Sequence, residues 1–90
     1  MIKRMHLTVT GVVQGVGFRY FIHSSAVRLG LDGFVRNNYN DNTVEITVQG
    51  EEMKLRELLS LARKGPAAAS VTGVVVSWEE PKNITGFEIT

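Results

Sequence analysis

The stretch Gly-Val-Val-Gln-Gly-Val-Gly-Phe-Arg, residues 11–19, contains the residues with the clearest chemical potential. Its glycines let the chain turn tightly and leave no Cβ between the backbone N–H groups and a ligand. An alternating, strand-like run precedes the stretch and a run with helical periodicity follows it. The first N–H groups of a helix have no partner within the helix, and the helix dipole adds partial positive charge there. With the guanidinium of Arg19, this arrangement predicts a loop that binds an anion such as phosphate.

The loop lacks the residues of the commoner phosphate-binding sites. A nucleoside-triphosphate loop has Lys and then Ser or Thr after its last glycine, whereas Phe18 and Arg19 follow Gly17. The dinucleotide fingerprint Gly-x-Gly-x-x-Gly fails because position 20 is a tyrosine. The absence of cysteine excludes a thiolate nucleophile. Two histidines and no cysteine suggest no cluster of metal ligands, so we expect neither a metal nor a cofactor.

Spacing alone leaves a structural interpretation open for each of these residues. Gly15 and Gly17 are also what a tight turn without a ligand would use. Arg19 could be a solvated side chain in the first turn of a helix. Asn37 lies on the predicted helix-covered face of a strand, where a polar side chain needs partners. It could equally be a turn residue, because three further asparagines follow closely: Asn38, Asn40 and Asn42.

The elements that must position these residues follow from the hydrophobic periodicity. Alternating runs predict strands, and apolar residues three and four positions apart predict helices. The predicted elements are a strand over 6–13, a helix over 18–29 that Gly30 ends, strands over 31–38 and 44–49, a helix over 51–64, a strand over 71–80 and a short strand over 86–90. This order is the ferredoxin-like split βαβ pattern of an α+β protein. It predicts one domain over residues 1–90, with a mostly antiparallel sheet and two helices on one face.

Composition narrows the class of protein. The 90 residues are 43% hydrophobic and 21% charged, as in ordinary globular domains. The net charge of +1 and the lack of a block of like charges argue against nucleic-acid binding. No apolar run approaches the roughly 18 residues of a membrane helix, and the first residues lack the apolar core of a signal peptide. We therefore expect a cytoplasmic monomer without a membrane or nucleic-acid partner.

Two segments resemble the signatures of the acylphosphatase family. Residues 11–19 are similar to the family's first signature. Gly-Phe-Val-Arg-Asn, residues 33–37, is similar to the second, which usually reads Gly-(Trp/Phe/Tyr)-Val-x-Asn. Residues 48–50, 65–66 and 86–89 also resemble family segments, so the resemblance covers essentially the whole chain. It implies a ferredoxin-like sandwich and an enzyme that hydrolyses the carboxyl–phosphate bond of small-molecule acyl phosphates.

The resemblance also implies a role for individual residues. Arg19 would bind the phosphate, and Asn37 would orient the attacking water. The backbone N–H groups of the loop would form a cradle for the phosphoryl oxygens. The phosphate-binding residues implied in this way are Gln14, Gly15, Val16, Gly17, Phe18 and Arg19.

The chemistry of acyl phosphates suits the residues present. An acyl phosphate is a mixed anhydride whose leaving group is a carboxylate, so no general acid is needed. Phosphoryl transfer asks the protein mainly to position groups and to neutralise charge. The amide of Asn37 can both accept from and donate to water but is a poor base. We expect the proton to pass to the substrate's own phosphate, as is proposed for the family, without a metal.

Two alternatives on the same fold remain open at this point. One is an RNA-binding module, because RNA-recognition motifs share this architecture. The other is an acylphosphatase-like domain with a regulatory role or within a larger protein, against which the ninety-residue length suggests a free-standing enzyme.

One turn departs from the family pattern. The family often has Asp-Gly after the second signature, whereas residues 38–43 form a turn about one residue longer, with Asn42 in the place of the glycine. Asparagine tolerates the left-handed conformation, so we expect the turn to form, with its rigidity beside Asn37 in question.

We expect Tyr20 to be a packing residue.

Overall fold

The computed structural model describes all residues from Met1 to Thr90. Seven elements follow one another in the predicted order of strands and helices. They are β1 (Ile2–Val12), α1 (Phe18–Arg28), β2 (Asp32–Asn38), β3 (Thr43–Glu51), α2 (Glu52–Lys64), β4 (Ser70–Glu79) and β5 (Phe87–Ile89).

The strands form one five-stranded sheet in the order β4-β1-β3-β2-β5. β1 pairs antiparallel with β3 and β4, and β2 pairs antiparallel with β3 and parallel with β5. α1 packs on β2 and β5, α2 packs on β1, β3 and β4, and the two helices contact each other. Both helices therefore cover the same face of the sheet. The predicted ferredoxin-like α+β architecture is confirmed.

The hydrophobic core lies between the helices and this face of the sheet. Alternation along β1 turns Leu7 and Val9 inward, and α1 contributes Phe18 and Ile22. Each of these four residues is at most 1% exposed. Burial of a side chain of this size stabilises the fold by about 1.5–3 kcal/mol. Phe18 is the first residue of α1, so its burial fixes the end of the glycine loop to the core.

The helix ends follow the capping signals. Gly30, with φ 72°, follows the last turn of α1 as predicted. Glu52 places acid in the first turn of α2, at the positive end of the helix dipole. Hydrogen bonds from Arg56 and Lys3 hold the pKa of the Glu52 carboxyl below its usual value. Neither helix is long and apolar enough to cross a membrane.

The first strand is longer than the alternation predicted, since β1 begins at Ile2 rather than at residue 6. The charged residues at the start of β1 do not fit a hydrophobic alternation, so the pattern did not reveal this part of the strand. Arg4 is 5% exposed, yet it lies in the strand because its guanidinium is paired across the sheet. Arg4 Nε donates to Glu79 Oε1 and Arg4 Nη1 to Gln49 Oε1, each at 3.1 Å.

Candidate active site

The glycine loop connects the end of β1 to the start of α1. Gly15 has φ 73°, and Gly17, the N-cap of α1, has φ 78° and ψ 16°. For other L-residues this left-handed conformation costs about 1–2 kcal/mol. A Cβ built at either position meets no atom within 4 Å. The glycines are thus required by backbone conformation, and the space above them is open to a ligand.

Backbone N–H groups of the loop are left without partners in the protein. None from Gln14 to Gly17 donates to a backbone carbonyl, and the helical ladder begins with the bond from Phe21 N to Gly17 O at 3.0 Å. No side chain caps α1 at Gly17. Unpaired N–H groups therefore extend from the loop into the first turn of α1, where the helix dipole adds positive charge.

The Gln14 side chain fixes the loop to the β2–β3 hairpin. Its Nε2 donates to Asn38 O and to Thr43 O, both at 3.0 Å. These carbonyls end β2 and begin β3, so one amide joins the loop to both strands. The resemblance implied a role for the Gln14 backbone only. The side-chain role has no sequence signal, because its partners lie 24 and 29 residues along the chain.

Asn37 lies near the end of β2 on the side of the sheet that the helices cover. It shares this side with Gly33 and the fully buried Val35, as the alternation predicted. Its Nδ2 donates to the hydroxyl of Tyr39 at 3.3 Å. Its Oδ1 is buried and has no hydrogen-bond partner. A buried acceptor without a partner costs about 1–3 kcal/mol, so Asn37 offers an oxygen that a ligand or water would satisfy.

One cavity brings the predicted residues of the loop and the strand together. Its volume is about 150 Å³. This volume is below the roughly 300–1,000 Å³ of pockets for drug-sized ligands, and it suits a small oxyanion. Its lining consists of Val13, Gly15, Gly17, Phe18, Arg19, Tyr20 and Asn37. Gln14 and Val16 belong to the same loop but do not line the cavity.

Arg19 provides the charge at this cavity. Its Nη1 donates to the main-chain oxygen of Thr90, the last residue of the sequence, at 3.4 Å. No acidic side chain forms an ion pair with Arg19, although other cationic residues of the chain have such partners. Its positive charge is therefore available to an anion in the cavity.

Tyr20 is a cavity residue rather than a packing residue. It is 69% exposed and lines the cavity beside Arg19, so the prediction that it packs in the fold is wrong. Helical periodicity places Tyr20 off the buried stripe that contains Phe18 and Ile22, and this was the signal that could have found it.

The turn after Asn37 is held by side-chain hydrogen bonds. Asn38 Nδ2 donates to Asp41 Oδ2 at 3.2 Å and to Glu45 Oε2 at 3.0 Å, while Asn38 Oδ1 accepts from Asn40 N at 3.2 Å. Asn42 has φ 57°, which confirms the predicted left-handed conformation. These hydrogen bonds therefore hold the longer turn in place next to Asn37.

No cluster of metal-binding side chains occurs in the chain. No three His, Cys, Asp or Glu residues lie close enough together to hold a metal ion. The cavity lining likewise contains no acidic residue and no histidine. Backbone amides, a guanidinium and a carboxamide are thus the polar groups that the cavity offers.

Comparisons with known proteins agree with this geometry. A sequence model of the acylphosphatase family matches residues 5–89. An acylphosphatase from Moorella thermoacetica is 50% identical over 86 residues, which are 96% of this chain and 91% of that protein. The crystal structure of an acylphosphatase from Bacillus subtilis has a TM-score of 0.94 and 33% identity, covering 100% of this chain and 99% of that one.

The fold also occurs as a small part of a longer protein. Full-length HypF, in a phosphate- and nucleotide-bound crystal structure, matches with a TM-score of 0.89 and 27% identity. That match covers 100% of this chain and 12% of HypF.

Proposed function

The chain belongs to the acylphosphatase family and is an acylphosphatase, and we propose that it hydrolyses acyl phosphates with the glycine loop, Arg19 and Asn37 as its machinery. The observation that carries the proposal is one small cavity that joins the loop, the Arg19 guanidinium, which has no acidic side-chain partner, and Asn37. The orphaned acceptor, Asn37 Oδ1, belongs to a residue of its lining.

The loop and Arg19 would bind the phosphoryl group. The unpaired N–H groups of the loop and of the first turn of α1 supply several donors. Arg19 supplies a full positive charge and a planar set of donors. Fixed donors of this kind stabilise the negative charge on the three phosphoryl oxygens as it redistributes during the transfer.

Asn37 would place the attacking water. Its Nδ2 is already bonded to Tyr39, so Oδ1 is the free end of the amide. A water that donates to Oδ1 would be held beside the phosphorus in the cavity, and positioning of this kind accelerates the in-line attack. Because an amide is a poor base, the water proton passes to a phosphoryl oxygen of the substrate.

The leaving group needs no acid from the protein. The phosphorus–oxygen bond breaks to give a carboxylate, which is stable without a proton. The cavity lining, which contains no Asp, Glu or His, agrees with this requirement. We propose that the reaction uses no metal or cofactor, and that residues 1–90 act as one monomeric, cytoplasmic domain.

The RNA-binding alternative receives less support. RNA-recognition motifs stack bases on aromatic side chains of the sheet. By the alternation along the strands, the sheet face away from the helices has a single Phe, Tyr or Trp residue, the half-buried Phe34.

Kinetics of two variants test the proposed roles. With benzoyl phosphate and EDTA, Arg19→Ala should raise KM and lower kcat, with a loss in kcat/KM of about 10²–10³-fold or more. Asn37→Ala should lower kcat by about 10²-fold and leave inhibition by inorganic phosphate unchanged.

Two controls accompany these variants. Arg28→Ala, which removes an exposed cation from the last turn of α1, should retain wild-type kinetics. p-Nitrophenyl phosphate, an ester with a poorer leaving group, should be hydrolysed far more slowly. Wild-type rates in both Arg19→Ala and Asn37→Ala would refute the assignment of the site, and loss of wild-type activity in EDTA would refute the metal-free reaction.

A further inference from the structure

Tyr39 makes the one hydrogen bond that the side chain of Asn37 has. It lies in the β2–β3 turn, and its hydroxyl accepts from Asn37 Nδ2 at 3.3 Å. We propose that Tyr39 is a positioning residue: it occupies the donor end of the Asn37 amide and so leaves Oδ1 for the attacking water. The inference rests on the proposed role of Asn37.

The two ends of the amide are chemically opposite. Oδ1 accepts hydrogen bonds and Nδ2 donates them, so a half-turn of the amide would replace the acceptor with a donor. An amino group turned toward the phosphate cavity would meet the unpaired N–H groups of the loop and the cationic Arg19. These surroundings favour the oxygen at the cavity, while Tyr39 holds the amide plane from the other end.

Tyr39 is placed to act on Asn37 and on little else. It is 71% exposed and is not part of the hydrophobic core. The backbone of its turn is held by the side chain of Asn38, as described above, and not by the phenol. Removal of the Tyr39 hydroxyl should therefore release the Asn37 amide and leave the fold intact.

The Asn37–Tyr39 contact lies beside a second cavity, next to the turn. The cavity has a volume of about 390 Å³ and is lined by Arg36, Asn37, Asn38, Tyr39, Asn40 and Glu45. Asn37 is the one residue that lines both cavities. Tyr39 does not line the phosphate cavity, so its effect on the reaction must pass through Asn37.

A double-mutant cycle tests the inference. We would measure kcat, KM and the inhibition constant of inorganic phosphate for the wild type, Tyr39→Phe, Asn37→Ala and the double variant, with benzoyl phosphate as the substrate. Loss of one neutral hydrogen bond should lower kcat by about 2- to 10-fold in Tyr39→Phe. KM and phosphate inhibition should stay at their wild-type values. In the Asn37→Ala background, Tyr39→Phe should have no further effect, because Tyr39 acts through Asn37.

Asn40→Ala is the matched control, because it changes a side chain of the same turn that bonds to neither Asn37 nor Tyr39. It should retain wild-type kinetics, and Tyr39→Phe should retain the wild-type unfolding temperature. The inference is overturned if Tyr39→Phe has wild-type kcat, if it raises KM instead, or if it lowers kcat by the same factor with and without Asn37. Wild-type kcat in Asn37→Ala would instead overturn the proposed role of Asn37 itself.

Discussion

The glycines of the two signature segments serve different physical purposes. Gly15 and Gly17 need a left-handed backbone but have open space around them. Gly11 and Gly33 are in close contact with neighbouring strands: an added Cβ would lie 2.0 Å from Ser70 O and 1.9 Å from Thr47 O, respectively. Each signature thus begins with a glycine that lets two strands approach. The sequence alone does not distinguish these two purposes, because it shows glycine at all four positions.

This difference predicts unequal costs for two glycine substitutions. Gly17→Ala should cost about 1–2 kcal/mol of stability, because the new side chain meets only backbone strain. Gly33→Ala should cost more than about 4 kcal/mol or prevent folding, because a Cβ overlapping Thr47 O must separate β2 from β3. Urea unfolding of both variants measures the costs, and Gly17→Asn should lose less than Gly17→Ala. Equal losses at positions 17 and 33 would contradict the steric account.

At the level of elements, the site depends on how the loop is joined to the hairpin. The loop follows β1, whereas Asn37 belongs to β2, and the two strands are separated in the sheet by β3. Gln14 spans this separation with its bonds to Asn38 O and Thr43 O. The distance between the phosphate-binding loop and Asn37 is therefore set partly by one side chain that does not line the cavity.

We therefore expect Gln14→Ala to affect both stability and catalysis. Two carbonyls lose their donor, which should cost about 1–3 kcal/mol. A loop displaced by about 1 Å should lower kcat/KM by up to about 10²-fold. The matched control is Gln49→Ala, because Gln49 also bonds to backbone, with Lys82 O at 2.6 Å and Lys82 N at 3.0 Å, away from the cavity. Gln49→Ala should lose stability but keep the wild-type kcat/KM, and a similar kinetic loss in both variants would show that the Gln14 effect is general destabilisation.

The sequence predicted the elements well where their periodicity is local. Alternation and helical spacing identified every strand and helix in order, and the side of β2 that Asn37 occupies. The start of β1 was missed because Arg4 is buried by partners 45 and 75 residues away. The Gln14 contacts were missed for the same reason, because they join the loop to residues 24 and 29 positions along the chain. Tyr39 is only two residues from Asn37, and their contact was missed because it depends on the conformation of the turn.

At the scale of the whole molecule, the binding site holds uncompensated positive charge. Arg19 has no acidic side-chain partner, and unpaired N–H groups adjoin it at the start of α1. Several cations elsewhere are paired with carboxylates, as Arg4 is with Glu79 and Arg56 with Glu52. An anion that binds the folded protein and not the unfolded chain should therefore stabilise the whole fold.

Inorganic phosphate, a product of the reaction, should raise the unfolding temperature of the wild type. At a concentration of 100 times Kd the linkage contributes about 2.7 kcal/mol. For a domain of this size, each kcal/mol raises Tm by roughly 4–8 °C. Calorimetry with EDTA present, and with chloride at matched ionic strength as the control, measures the shift. Arg19→Ala should lose most of it, whereas Asn37→Ala should keep it, because Asn37 places water rather than phosphate. An equal shift with chloride, or in Arg19→Ala, would mean that the stabilisation does not come from an anion bound at this cavity.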